Sequence, residues 1–396
     1  MCKKKNNDIN IRIISSSLVT TIGRGITLPF LPIFLHNQLS VDILDTGNIL
    51  TAAMVAGLFL SVPLGNLAKK FKNSVSIKLS LIVFMLSFML IVFFKYPFVF
   101  AISFTAINLS YSVFSVIIKC FISENISGDE KTRLFSLNYT FINIGWVIGP
   151  LIGSWLLSRS VDTPFYLSSL TGLIAIIICF NLKDGSSILD HPKTSEDNVI
   201  SRFSNWKKIS FYLLSFFLTS FIFGRFASCI SQVLMVDLNS KETASIVSSL
   251  VTTNAITVIL FQYVVGRRIN NIENRKGFSI GILSLLLGLV VFEFSRLNHF
   301  MWCMGMVIFS LGEIIIAPLQ YKVIDSLSRR ENRSLLFSLQ NFSSIGGAAN
   351  PALTALIITF WNPNAVYYSL MIAAFLSLLL FFIGFHQKKD DEITYE

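Results

Sequence analysis

The chain is 396 residues long, 53% hydrophobic and 13% aromatic, with 14% charged residues and 37 phenylalanines; its mean hydropathy is +0.67. A soluble domain carries about a quarter charged residues, and a single core cannot bury this much apolar surface. The composition therefore excludes a water-soluble globular fold. The net charge of +10 requires no nucleic-acid partner, because membrane proteins concentrate Lys and Arg on one side of the bilayer.

In chain order, apolar segments long enough for a hydrocarbon core, which takes about 20 residues, run over 11–35, 46–68, 75–94, 97–120, 134–157 and 165–182. A second set covers 209–235, 243–265, 277–294, 300–324, 334–361 and 365–385. These twelve spans predict an all-α membrane protein in contact with lipid. Between the sets, Asp184-Gly185-Ser186-Ser187, His191-Pro192-Lys193 and Ser195-Glu196-Asp197-Asn198 have the composition of a solvated linker. The expected organisation is an N-terminal six-helix bundle over 1–182, a cytoplasmic linker over 183–208 and a C-terminal bundle over 209–396.

Short loops rich in Lys and Arg stay in the cytoplasm. With the N-terminus inside, Lys3, Lys4, Lys5, Lys69, Lys70, Lys72, Lys131 and Arg133 fall there, with the basic residues of the linker, Arg267, Arg268, Arg329, Arg330, Lys388 and Lys389. The opposite side keeps Lys95, Arg159, Lys241 and Arg296. Both termini are expected in the cytoplasm, with the chain crossing the membrane as a monomer. Met1-Cys2-Lys3-Lys4-Lys5 has the charge of a signal sequence, but no small-residue cleavage site follows the first apolar run, so that span is expected to be retained.

The five cysteines (2, 120, 179, 229, 303) show no paired spacing, and the four histidines (36, 191, 299, 386) lie in loops or at ends. Neither a disulfide framework nor a metal site is indicated, and no cofactor is expected. The phosphate-binding pattern Gly-x-x-x-x-Gly-Lys-Ser/Thr is absent, as is any nucleophile motif, which argues against an enzyme and against a self-contained ATP-driven pump.

A shift of about 201 residues superimposes the two halves. Gly23-Arg24 falls on Gly224-Arg225, and Leu64-Gly65 on Val265-Gly266. Phe135-Ser136-Leu137-Asn138, Ile144-Gly145 and Pro150 fall on Phe337-Ser338-Leu339-Gln340, Ile345-Gly346 and Pro351 with a one-residue slip. Two six-helix halves in one orientation are the parallel repeats of the major facilitator architecture.

On these landmarks the chain resembles the major facilitator superfamily over essentially its whole length. Gly145-x-x-x-Gly149-Pro150-x-x-Gly153 is similar to the motif of the proton-antiporter branch; its small residues permit close helix approach and Pro150 removes a backbone hydrogen bond. Gly65-Asn66-Leu67-Ala68-Lys69-Lys70 resembles the family's cytoplasmic gate signature, but Lys69 stands at the acidic position, so the latch made by that acid is not implied. Thr21 to Phe30, Ser136 to Thr140, Asn143-Ile144-Gly145-Trp146, Phe226 to Gln232 and the Glu313 segment resemble the enterobacterial YdeE-type efflux transporters, a group assigned to export of dipeptides and drug-like compounds. Within that resemblance, Arg225 replaces a small residue and Gln320 an acid.

Glu313, in Gly312-Glu313-Ile314-Ile315-Ile316-Ala317-Pro318, is the only acid near the middle of an apolar span. A mid-membrane carboxylate costs about 3 kcal/mol or more and usually serves a cavity or a partner. Arg24 lies too deep to reach the headgroups comfortably. In this architecture spans one, four, seven and ten line a central cavity, which implies that Arg24, Arg225 and Glu313 share a space. Glu313 then binds a proton while the arginines bind substrate carboxylate or modulate it; alternatively, an Arg-Glu pair merely joins the halves. Tyr111, Asn108, Asn138, Tyr139, Asn143, Gln232 and Asn254 are candidate lining for an amphipathic ligand. The expected function is proton-coupled efflux, by alternating access, of small amphipathic compounds or short peptides. Proton-coupled uptake of a sugar or organic anion is the alternative, and a non-transporting receptor a further one.

Overall fold

The computed structural model describes residues 2–68, 73–125, 129–180, 206–269, 272–295, 298–327, 336, 339–340 and 343–386. The regular structure among them is entirely helical. Hydrocarbon offers no partner to a backbone N–H or C=O, so a spanning segment closes its hydrogen bonds on itself. The side-chain hydroxyls follow the same rule: Thr20 donates to the Ser16 carbonyl at 2.6 Å, Ser80 to Ser76 at 2.8 Å and Ser310 to Met306 at 2.6 Å, each one turn back.

The first half comprises α1 (Cys2–Thr27), a 3-10 turn (Leu28–Phe30), α2 (Leu31–Leu39), α3 (Ile43–Ala68), α4 (Asn73–Phe93), α5 (Pro97–Asn125), α6 (Asp129–Leu157) and α7 (Thr163–Cys179). The second comprises α8 (Trp206–Phe223), α9 (Phe226–Leu234), α10 (Ser240–Ile269), α11 (Asn274–Ser295), α12 (His299–Leu327), α13 (Ile345–Phe360) and α14 (Pro363–His386). Among the described residues nine helices are long and apolar enough to cross a membrane, ten if α8 and α9 form one bent span, and α7 and α13 are shorter apolar helices. All twelve expected spans thus have a helical counterpart, and the chain is a multi-pass membrane protein. Residues 183–205 of the linker lie outside the described residues, as do 181 and 182 before it, and α8 begins at Trp206.

Two expected spans are interrupted. In the first, Pro29 and Pro32 lack the N–H that a continuous helix needs, and the chain passes through the 3-10 turn between α1 and α2. In the seventh, Gly224-Arg225 forms a turn at which α8 and α9 bend by 46°.

The chain divides into two compact units: 1–187 with 227–259 and 351–363, and 188–226 with 260–350 and 364–396. In the first, α1 packs on α6 and α7, α4 on α5 and α7, and α3 on α5. The α1–α6 crossing explains the glycine pattern. A Cβ on Gly149 would come within 2.7 Å of Gly25 Cα, and one on Gly153 within 2.2 Å of the Ile26 carbonyl oxygen. These backbones touch, and Gly25 admits Pro150 alongside. At the end of this unit remote from the chain start, Ser231 donates to the Pro29 carbonyl at 2.7 Å, Ala352 N–H to the Thr51 hydroxyl at 3.0 Å, and Asn37 to Ser240. Gly47 lies against Pro351 and Ala355.

In the second unit α11 and α12 form the most extensive pair. A Cβ on Gly312 would sit 2.6 Å from the Gly281 carbonyl oxygen, and one on Gly288 within 2.7 Å of Phe309 Cβ. Ser215 and Ser377 exchange hydrogen bonds of 2.9–3.0 Å between α8 and α14. Gly347 lies on Gly224 Cα and Gly346 on the Phe217 carbonyl, so the first and fifth spans of the second half meet through glycine as those of the first half do. Leu79, Ile177, Phe180, Leu260, Ile372 and Phe375 are exposed, the outward apolar surface that lipid covers.

Gly149→Val would force the α1–α6 backbones apart. We expect a destabilisation of about 3 kcal/mol or more, read as a lower melting temperature of the detergent-purified protein. Gly57→Ala, whose Cβ would meet Asn108 Cβ at an ordinary 3.4 Å, should change it little.

Candidate functional site

In the first unit, α1 carries Arg24 into a setting with 8% exposure. Its Cζ lies 3.8 Å from the centroid of the Tyr111 ring on α5, and Nη2 donates to Asn108 Oδ1 at 3.5 Å. Asn108 and Tyr111 are three residues apart, hence neighbours on one helix face. Asn108 Nδ2 donates to the Phe104 carbonyl at 3.0 Å, which directs Oδ1 to the arginine. The Tyr111 hydroxyl lies 3.4 Å from Thr21 Oγ1, itself bonded to the Ser17 carbonyl at 2.7 Å. Thr21 is held in turn by Gly145, where a Cβ would clash with its side chain at 2.8 Å, so the α6 glycine motif sets the register of the Arg24 face.

The balance of forces on Arg24 is unfavourable as it stands. Removing a guanidinium from water costs several kcal/mol even after relaxation, while a desolvated cation–π contact returns about 2 kcal/mol and the bond to Asn108 is at the limit of hydrogen-bond length. Nε is buried without a partner. Within its own unit, no described carboxylate pairs with it.

In the second unit, Glu313 is the central residue of α12, with partial exposure. Gly312 beside it seals one face of α12 against Gly281 and Leu285 of α11. Two contacts anchor the broken seventh span along α12. Gln320 Nε2 donates to Thr219 Oγ1 of α8 at 2.7 Å, and Phe226, the first residue of α9, stacks on Phe309 with centroids 4.5 Å apart. Gln320 and Phe309 flank Glu313 along α12, while Thr219 and Phe226 flank the Gly224-Arg225 turn. The antiparallel register therefore puts the break opposite Glu313, and Arg225, partly exposed, lies on that turn. Asn350 Nδ2 donates to the Phe221 carbonyl at 2.8 Å, and Gly347 N–H to the Ser220 hydroxyl at 3.3 Å, supplying bonds from α13 beside the break.

The remaining expected residues are more scattered. Asn138 and Asn143 are buried on α6, and Asn138 Oδ1 has no partner. Gln232 is buried on α9, with Nε2 donating to the Ser228 carbonyl at 3.4 Å and Oε1 unpartnered. Asn254 is half-buried on α10, in the first unit. Tyr139 is on α6 and Gly65 on α3, but their side-chain environments, with Lys69 and Lys70 themselves, lie outside the described residues. Gly145, Gly149, Pro150 and Gly153 form the helix contact described above. Sequence reasoning missed the Asn350 and Gln320 bonds. The shift of about 201 residues that aligns the halves puts Asn350 on Gly149, and a polar side chain at a glycine position of a tight crossing was a usable signal.

The family model of the Major Facilitator Superfamily matches residues 13–234 and again 212–394. The chain is 35% identical over 373 residues to the MFS-type transporter YdeE of Escherichia coli (strain K12), covering 93% of this chain and 94% of that one. It is 21% identical over 388 residues to Multidrug resistance protein 2 of Bacillus subtilis (strain 168), covering 95% of each. Among solved structures, the nucleoside transporter NupG superposes with a TM-score of 0.78 at 13% identity, covering 96% of this chain and 100% of that one. The relatives are transporters, which agrees with the lack of an enzymatic motif.

The Arg24 seat depends on the face of an aromatic ring, so Tyr111→Phe should retain it and Tyr111→Leu should not. We expect the Leu variant to lose about 1–2 kcal/mol of stability relative to the Phe variant, measured by thermal unfolding in detergent.

Proposed function

The chain belongs to the Major Facilitator Superfamily, and from that premise we propose that it is a proton-coupled exporter of small amphipathic compounds or short peptides in a bacterial inner membrane. Both termini are in the cytoplasm in this reading, as the distribution of Lys and Arg favours. The halves over 1–182 and 209–396 act as the two rocking bundles, joined by the linker over 183–208. The end at which Ser231, Ala352 and Asn37 make their bonds is then the outer one. Substrate exit requires those contacts, and the packing of Gly47 on Pro351 and Ala355, to open.

The observation that carries the coupling assignment is the position of Glu313 opposite the Gly224-Arg225 break. Interrupted helices at mid-membrane expose backbone polar groups only where protein or water can satisfy them, and transporters use such points for coupling ions. A carboxylate at that depth is stable when neutral and can be ionised only with water or a cation nearby. Glu313 takes up a proton from the outer side, and releases it to the cytoplasm as the halves rock and substrate moves out. A relative named for multidrug resistance supports the outward direction and the amphipathic substrate class.

The test uses proteoliposomes with a pH-sensitive dye inside and a panel of dipeptides and lipophilic amines. In vesicles with the native cytoplasmic face outward, an exporter takes substrate into the lumen while protons leave, so the lumen becomes alkaline. Proton symport would acidify it, which would replace export with uptake. Glu313→Gln should reduce the proton-driven flux to that of protein-free vesicles, with Glu313→Asp retaining part of it; unchanged flux in the Gln variant would remove Glu313 from the mechanism.

A further inference from the structure

The guanidinium of Arg24 has a prepared seat and, among the described residues of its unit, no counter-charge. Its plane rests on Tyr111, one Nη2 hydrogen is engaged by Asn108 at 3.5 Å, and the Nε edge is buried without a hydrogen-bond partner. The seat itself is fixed by bonds that do not need the arginine: Asn108 to the Phe104 carbonyl, and Thr21 to the Ser17 carbonyl beside the Tyr111 hydroxyl. A structural arginine would be expected to spend its donors on backbone carbonyls or a carboxylate, whereas this one leaves the Nε donor unbonded, and the Nε side of a guanidinium matches a carboxylate in shape and charge. A single monoanion neutralises it.

We propose that Arg24, seated on Tyr111 and Asn108, binds a carboxylate carried by the transported compound. The inference rests on reading the chain as a transporter of small amphipathic compounds, and it narrows that class to molecules joining an apolar body to a carboxylate. The ring of Tyr111, partly exposed beside the guanidinium, offers apolar contact for the body while the Nε edge takes the charge. Arginine is required for this geometry. A lysine would supply the charge without the fork.

The test is equilibrium binding to the full chain in detergent, with N-acetyl-L-phenylalanine and its neutral analogue N-acetyl-L-phenylalaninamide as matched probes and phenyl phosphate as a second anion. The carboxylate should raise the melting temperature saturably and bind about tenfold more tightly than the amide. R24Q should abolish that preference and R24K retain a weaker one, while ligand-free R24Q melts at or above the wild-type temperature because an unpaired buried charge has been removed. Equal binding of acid and amide, no shift with any probe, tighter binding of phenyl phosphate, or a preference surviving in R24Q would each overturn the assignment. So would a ligand-free R24Q that melts well below wild type, since that marks a structural cation. Binding needs no proton gradient, so the two readings fail separately: flux insensitive to Glu313→Gln with the acid preference intact defeats only the coupling assignment, and the reverse result defeats only this one.

Discussion

Hydrocarbon cannot hydrogen-bond, so every polar group carried into it must find its partner within the protein. Helices solve the problem for the backbone, and the repeated Ser and Thr bonds to carbonyls one turn back solve it for hydroxyls. With water excluded, apolar burial no longer distinguishes helix from lipid, and association depends on how closely two backbones approach. The glycines of α1, α6, α11 and α12 supply that approach. At Gly149, which faces Gly25, and again at Gly312, which faces Gly281, a single added carbon would strike the backbone of the neighbouring helix.

The same constraint makes the breaks in the first and seventh spans informative. An interruption frees carbonyls that need donors. In the first span Ser231 bonds the Pro29 carbonyl; in the seventh, Asn350 bonds the Phe221 carbonyl and Gln320 holds Thr219. Asn350 shows how a duplicated architecture diverges: its counterpart by the repeat is Gly149, which needs only to be small because α1 is continuous where it crosses α6. Where α8 ends in a turn, an amide at that position turns a packing contact into a hydrogen bond.

This difference marks the limit of what the sequence discloses. Span number, helical class and the duplication are properties of composition and spacing, so they are visible in one dimension. Glu313 and Arg24 stood out for the same reason, as charges in apolar runs. Their surroundings did not, because a polar residue in a membrane helix is defined by what lies across the crossing. Tyr111 read as lining, yet its face is the seat of Arg24; Gln320 read as a missing acid, yet it ties α12 to α8. The 46° bend at Gly224-Arg225 was also hidden, since neither residue is a proline and the apolar pattern runs through it.

The two charged positions differ in kind, and the difference follows from their chemistry. A carboxylate in a low-dielectric setting can shed its charge by taking up a proton, so Glu313 has a neutral state available whenever its surroundings dry out. A guanidinium has no such option, because it remains protonated at any accessible pH. The cost of burying Arg24 can be met only by an anion or by access to water. The transport cycle proposed above uses both behaviours. One group changes charge with the membrane side it faces, and another keeps its charge and therefore favours those states in which a complementary ligand is present. Glu313 and Arg24 have the required asymmetry, on α12 in one unit and α1 in the other.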